Sequence, residues 1–251
     1  MTLRPAVLVT GAARRIGAAI ARGFAGAGWH VVIHYGSSRN EAEVLARSLP
    51  SAQTIGADLG NPDAATILIE TLAKQLGDWR VLVNCASVFE LDTATELDPA
   101  VFNHALRVNA AAPVLLAQAF LKHAQANSGR RVICVTDQKI ANPNPDFFSY
   151  TMSKHALAAA IPMLAMAASD PRDRIYGLAP GAILASHDQQ EAEIERSHRM
   201  NLLVRKTRPD EIATAALFLS EGWLASGDTL FIDSGQHLLS QPRDVLFLAR
   251  E

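Results

Sequence analysis

The stretch AVLVTGAARRIG, residues 6–17, decides the fold. Its first half has the unbroken hydrophobicity of a strand buried on both faces. The second half, TGAARRIG at 10–17, leads into an apolar-periodic helix over 16–27. Gly11 and Gly17 lie six positions apart, so the backbone can turn tightly and bring amides and a helix N-terminus up to a pyrophosphate. A glycine pair alone is a weak signal. Directly after a first strand and ahead of a helix, it marks a dinucleotide-binding βαβ unit.

The same rhythm continues outward. Apolar strand-like runs stand at 6–10, 30–35, 52–56, 81–84, 131–136, 174–179 and 229–233, with helical patterns between them near 16–27, 39–49, 62–76, 98–126, 149–169 and 209–220. This alternation predicts an α/β fold, a single-domain Rossmann-type doubly wound parallel sheet of seven strands with helices on both faces. No repeat, low-complexity tract or linker divides residues 1–251. Two segments depart from the pattern. Residues 182–208 are polar and weakly periodic and read as a substrate lid, or else as a solvated surface helix. The tail at 239–251 mixes apolar and basic residues. The Ala-rich helices at 109–121 and 155–168 carry small faces suited to close packing, so a homo-oligomer, dimer or homotetramer, is expected through them.

Composition narrows the partners. Charged residues are 19% of the 251, mixed in sign, with a net charge of −2. Neither a nucleic-acid footprint nor a polybasic membrane patch is present, so a small molecule is expected. Cys85 and Cys134 sit in apolar runs and read as reduced, buried thiols of a cytoplasmic protein. The N-terminus has no secretion-signal pattern. The longest nearly uncharged run, ALAAAIPMLAMAAS, is shorter than the ~18 residues a spanning helix needs. The eight histidines lack ligand spacing such as HExxH, so no metal site is expected.

The second strand ends HVVIHYGSSRN, with no Asp or Glu at its tip to accept from a ribose 2′-hydroxyl. NADP(H) is favoured over NAD(H). Arg15, Ser37, Ser38 and Arg39 can supply charge-assisted donors to a 2′-phosphate. Arg14 is either another such donor or a surface charge. Asp58, after the third strand, suits an adenine amino group or caps the helix beginning at Asn61. His34 falls at this nucleotide end and is placed with the cofactor residues, although it also reads as an ordinary strand-end residue.

Tyr150 and Lys154 are four apart in a helical segment, so they share a face with Cβ atoms roughly 5–6 Å apart. A phenol has an ordinary pKa of about 10. A nearby ammonium favours the phenolate and is expected to lower that value, easing proton donation. A lone YxxxK would be an ordinary helix.

TGAARRIG, NCAS at 84–87, Asn109 in RVNAAAP, Tyr150 with Lys154, and APG at 179–181 together resemble the short-chain dehydrogenase/reductase family over almost the whole chain. The resemblance implies a catalytic set of Asn109, Tyr150 and Lys154, but the family's serine is replaced by Asp137, thirteen positions before Tyr150. Arg15 likewise stands where the family's middle glycine would be. Both departures, with HY at 34–35, NCASVF and YTMSK, are similar to the pteridine reductase branch, which includes trypanosomatid enzymes and bacterial dihydromonapterin reductases. This implies that Phe89 stacks a pterin over the nicotinamide and that Ser87 contacts substrate or cofactor. Ile16, Leu59, Asn84 and Ala86 are implied cofactor neighbours, and Pro180, Gly181 and Ile183 are implied to hold the nicotinamide amide. Cys85 and the HYGSS run depart from the branch, leaving the 2′-phosphate contacts open in detail. Phe147, or its neighbour Phe148, is expected in the pocket wall.

The implied reaction is NADPH-dependent reduction of a pterin, with Tyr150 and Asp137 delivering the proton as a coupled pair, Lys154 holding the nicotinamide ribose and Asn109 ordering a water beside Lys154. The competing expectations are a short-chain reductase of an unrelated carbonyl, such as a 3-ketoacyl thioester, and a non-catalytic NADP(H)-sensing regulator. Arg243 or Arg250 is expected to reach a neighbouring subunit's site.

Overall fold

The computed structural model of the chain describes residues 4–185 and 189–251. The run at Ala6–Val9 forms β1, buried at every position. It lies in one parallel sheet with β2 (His30–Tyr35), β3 (Ala52–Gly56), β4 (Trp79–Asn84), β5 (Arg131–Val135), β6 (Arg174–Pro180) and β7 (Thr229–Ile232). The order is β3-β2-β1-β4-β5-β6-β7. All seven expected strands form. β4 starts at Trp79, ahead of the expected 81, because the fully buried indole docks there and its Nε1 donates to the Val81 carbonyl at 3.0 Å.

Between and after the strands lie helices α1 (Arg15–Gly26), α2 (Arg39–Ser48), α3 (Ala64–Ala73), α4 (Pro99–Leu106), α5 (Ala112–His123), α6 (Phe148–Ala167), α7 (Glu191–Ser197), α8 (Pro209–Glu221) and the single turn α9 (Val245–Leu248). Side chains alternate across the sheet as the pleat requires. Val7, Val9, Val31, Ile33, Val81, Val83 and Ile133 join one core with Ile20 and Phe24 of α1 and Ile212 and Ala216 of α8. Leu8, Val32, Leu82 and Val132 join the other with Leu68 of α3, Leu116 and Phe120 of α5, and Leu157 and Ile161 of α6. Each such fully buried side chain contributes roughly 1.5–3 kcal/mol. The α1–α8 crossing is close because Gly23 has no side chain: a Cβ there would lie 3.0 Å from that of Ala213.

One expectation needs correction. The helix anticipated over 98–126 is broken: α4, capped by the Asp98 carboxylate, ends at Leu106, and a π turn spans Arg107–Ala111 before α5. Pro113 supplies the reason, since it has no N–H to close an α-type bond to the Asn109 carbonyl. The segment at 182–208, read as a lid or else a solvated surface helix, is helical in part. It contains α7, started by Glu193 Oε2 accepting the Gln190 N–H at 3.0 Å. The part of the lid reading that falls on 186–188 lies outside the described residues. Among the described residues no helix is long and apolar enough to cross a membrane, and no cluster of His, Cys, Asp and Glu could hold a metal ion.

Candidate active site

Strand order reverses between β1 and β4, and a cleft of about 550 Å³ opens beyond the carboxyl ends of the strands there. Gly11 forms its floor with φ of +62°; a Cβ would sit 2.8 Å from the Ala86 Cα, so only glycine fits. Thr10 Oγ1 accepts from the amides of Cys85 and Ala86 at 2.9 and 3.0 Å, tying the β1 turn to the NCAS run. The N-terminus of α1 has no side-chain cap, which leaves its first amides for a ligand.

Most of the expected nucleotide residues line this cleft: Ile16, Gly17, His34, Ser37, Ser38, Asp58, Leu59, Ala86, Ser87, Pro180, Gly181 and Ile183. Arg15 has φ of +56°, a left-handed conformation that costs a non-glycine residue about 1–2 kcal/mol and explains why the family places glycine there. Its guanidinium donates to the Ala185 carbonyl at 2.8 Å, in the segment after β6. Arg14 borders the cleft and also faces Glu41 at 3.8 Å, so both of its readings meet at one position. Asp58 lines the cleft while its Oδ1 caps the Gly60 amide at 2.9 Å. Two residues fall elsewhere. Arg39 lies over the Tyr35 ring, 5.7 Å from its centroid, and is not part of the cleft wall. Asn84 is 2% exposed, and its amide donates to the Pro113 carbonyl at 3.1 Å, fastening β4 to α5 behind the cleft.

At the other end, Tyr150 Oη donates to Asp137 Oδ2 at 2.7 Å, and both residues face the cleft. The other Asp137 oxygen accepts the Lys139 amide at 2.9 Å, which fixes the carboxyl rotamer. Burial pushes Asp137 above the usual carboxylate range, against the lowering effect of the Lys139 amide. Burial and the Asp137 charge hold the Tyr150 hydroxyl well above its ordinary range. Lys154, itself lowered by burial, lies 5.5 Å from the Tyr150 ring centroid and donates to the Val135 carbonyl at 2.8 Å. The expected depression of the Tyr150 pKa by Lys154 is therefore reversed, because desolvation and the nearer carboxyl outweigh the ammonium. Tyr150 keeps its proton at neutral pH.

Asn109 does not line the cleft. Its Oδ1 accepts from the Val88 amide at 2.8 Å and from Ser87 Oγ at 3.1 Å, and its Nδ2 donates to the Val88 carbonyl and to Ser153 Oγ. The side chain clamps the segment after β4 onto α6, so only the backbone carbonyl, without an α-type partner because of Pro113, suits the expected water.

Phe89 lines the cleft, stacks on Phe147 at 4.1 Å and meets Tyr150 edge-on at 4.6 Å. Phe147 is not in the wall. With φ of +51° it turns inward at the start of α6, 1% exposed, and backs Phe89 and Tyr150 together with Leu246. The wall the sequence did not reveal is the tail: Asp244, Val245 and Leu246 line the cleft. Lys139 Nζ pairs with Asp244 Oδ2 at 2.7 Å, and Arg243 Nε with Asp146 Oδ2 at 2.7 Å. Arg250 pairs with Glu193 at 3.1 Å. Both arginines expected to reach a neighbour are thus engaged within their own chain. Gln236 was also missed; its Oε1 accepts the Ala182 amide at 2.9 Å and shapes the turn after β6.

A dinucleotide cleft that ends on a buried tyrosine–lysine pair defines a nucleotide-dependent oxidoreductase. The chain belongs to the short-chain dehydrogenase/reductase family, and the family model described as enoyl-(acyl carrier protein) reductase matches residues 11–237. Among solved structures it is similar to the alternative dihydrofolate reductase 1 FolM of Brucella canis complexed with NADP, 34% identical with a TM-score of 0.88 over 97% of this chain and 98% of that one. The Brucella suis counterpart, also with NADP, gives 34% and 0.89 over 96% and 98%. The angucycline C-6 ketoreductase LanV with bound NADP gives 28% and 0.85 over 94% and 96%. Versicolorin reductase stcU of Emericella nidulans is 31% identical over 180 residues, 70% of this chain and 68% of that protein.

Proposed function

We propose that the protein reduces a dihydropterin or dihydrofolate-like ring to its tetrahydro form with NADPH. The observation that carries the reading is the buried contact of Tyr150 Oη with Asp137 Oδ2 at 2.7 Å beside Phe89. A C=N bond gains a basic nitrogen as hydride arrives, and an acid–phenol pair can protonate it where a neutral serine would serve a ketone. The likeness to the Brucella proteins, named as alternative dihydrofolate reductases, supports the same substrate class.

The cleft fits the cofactor. The Gly11 turn leaves no space for a Cβ, the α1 N-terminus is uncapped, and Gly36, Ser37 and Ser38 put no carboxylate where a 2′-phosphate would lie. NADPH, when bound, supplies the hydride. Tyr150 gives the proton, and Asp137, sharing it across the 2.7 Å bond, restores the phenol. Lys154 is positioned to hold the ribose and to pass protons inward. Phe89, held from behind by Phe147, offers a flat face to the ring. The outward apolar side chains of α6, Met152, Met163 and Met166, support a homo-oligomer through that helix.

The test is NADPH oxidation with a dihydropterin, dihydrofolate and a panel of simple ketones, repeated with NADH. Activity confined to ketones ends the pterin reading, and a preference for NADH overturns the cofactor assignment. Arg15→Gly gives a separate check. Relief of the left-handed arginine is expected to raise the Tm of the cofactor-free protein by about 1–3 °C, while loss of the guanidinium weakens NADPH binding about tenfold. Calorimetry and a binding titration read the two effects independently.

A further inference from the structure

Histidine 34 is buried at 2% exposure, and both of its ring nitrogens are in use. Nδ1 accepts the Gly11 amide at 3.1 Å. An N–H can be accepted only by an unprotonated nitrogen, so the ring proton is on Nε2, which donates to the Ala57 carbonyl at 3.1 Å. The backbone of the same residue accepts the next amide of the glycine turn, Ala12 N–H to His34 O at 2.9 Å. A second strap runs alongside, Ala57 N–H to Tyr35 O at 3.1 Å. One side chain on β2 thus joins the turns that follow β1 and β3, at the end of the sheet where the cleft opens.

We infer that His34 is a positioning residue for the cofactor: its Nδ1 holds the Gly11 peptide in the left-handed turn on which the nucleotide rests, and its Nε2 sets the turn leading to Asp58 at a fixed distance from it. The inference rests on the reading of the cleft as an NADPH site. Gly11 needs such a hold. Its φ of +62° is one of many conformations open to glycine, and a turn free to sample the others would bind the pyrophosphate less well. The ring is suited to the task because it stays neutral; burial takes its pKa down to about 4. An imidazolium would turn Nδ1 into a donor facing a donor.

Two near-isosteric variants separate this role from core filling. In His34→Asn, Oδ1 stands about where Nδ1 was and keeps the Gly11 bond, but the link to Ala57 is lost. In His34→Gln, the longer amide reaches the Ala57 carbonyl and leaves the buried Gly11 amide without an acceptor. Asparagine is a methylene shorter than glutamine, so a filler role predicts the larger loss of Tm in His34→Asn and no loss of cofactor affinity peculiar to His34→Gln. The expected result is a Kd for NADPH, read by fluorescence titration, raised about tenfold or more in His34→Gln and within about threefold of the parent in His34→Asn. The kcat at saturating NADPH should stay within about threefold for both, because the Tyr150 end is untouched.

Equal affinity in the two variants, or a collapse of kcat at saturation, overturns the inference. If either variant does not fold, the parent protein still decides: histidine side-chain NMR must find His34 as the Nε2–H tautomer, and an Nδ1–H tautomer or an imidazolium near neutral pH overturns the assignment. A parent protein that does not bind NADPH would instead sink the underlying cofactor reading.

Discussion

Replacing Tyr150 with phenylalanine is expected to cut NADPH-dependent reduction by about two to four orders of magnitude, the usual worth of a positioned general acid. The substitution removes one oxygen, whose hydrogen bond among the described residues is to Asp137 Oδ2. The ring keeps its edge-on contact with Phe89 at 4.6 Å, so the stacking wall and the cleft shape survive. NADPH affinity should change by no more than about twofold, since the hydroxyl lies at the far end of the cleft from the Gly11 turn, and a loss confined to kcat marks an interaction made in the transition state. A single-turnover measurement with deuterated cofactor would separate hydride transfer from product release. If the variant retains more than about a tenth of the parental rate with intact binding, an amount below the usual worth of a general acid, then Asp137 donates the proton by itself.

The nucleotide half of this site was legible because it is written in local terms. A buried strand, a turn needing glycine and an amphipathic helix each leave a mark within a dozen residues, and TGAARRIG carries all three. The doubly wound parallel sheet followed from the alternation of elements. What stayed hidden depends on which way a side chain turns in three dimensions. Phe147 and Phe89 are both aromatic residues near the tyrosine, but the left-handed backbone at 147 sends one inward behind the other. Asn84 and Asn109 look alike as polar residues at element ends. Both are spent on backbone groups, one at Pro113 and one at Val88. Arg39 reads as a phosphate donor until Tyr35 offers it a ring face. The tail was legible only as a mix of apolar and basic residues: Arg243 was expected at a neighbouring subunit, and only the fold brings Asp146 and Lys139 to meet Arg243 and Asp244.

In sequence, Lys154 lowers the Tyr150 pKa and Asp137 opposes it; burial, which decides the sign, could not be weighed there. Sequence spacing counts the ammonium four residues away but not the loss of water. Two unit charges 4 Å apart interact by about 4 kcal/mol at an effective dielectric near 20, and desolvating the phenolate opposes ionisation on a comparable scale. Asp137 then adds its own charge at hydrogen-bond distance. The site is therefore organised to keep a proton in place, which suits a reductase.

That organisation makes Asp137 the residue whose replacement should be most informative. Its carboxyl is raised by burial, so its protonated form extends to higher pH than an ordinary aspartate allows. The sign follows: protons are bound below the raised pKa, so kcat for a dihydropterin should increase as pH falls through that value and decline above it. Asp137→Asn keeps the shape and can still accept the Lys139 amide. It should flatten this acid-side dependence and, by removing a negative neighbour, shift the alkaline limb owed to Tyr150 downward. At neutral pH, Asp137→Ser should lose about tenfold to hundredfold in dihydropterin turnover, because the smaller hydroxyl neither reaches a ring nitrogen nor replaces the proton Tyr150 gives up. The same serine restores the arrangement suited to a ketone, so a ketone panel run beside the pterin separates the two chemistries. Retained pterin turnover in Asp137→Ser, or a parent rate that does not vary with pH across the carboxyl's range, would remove the acid from the mechanism. The site would then be a ketoreductase's, in keeping with its likeness to LanV.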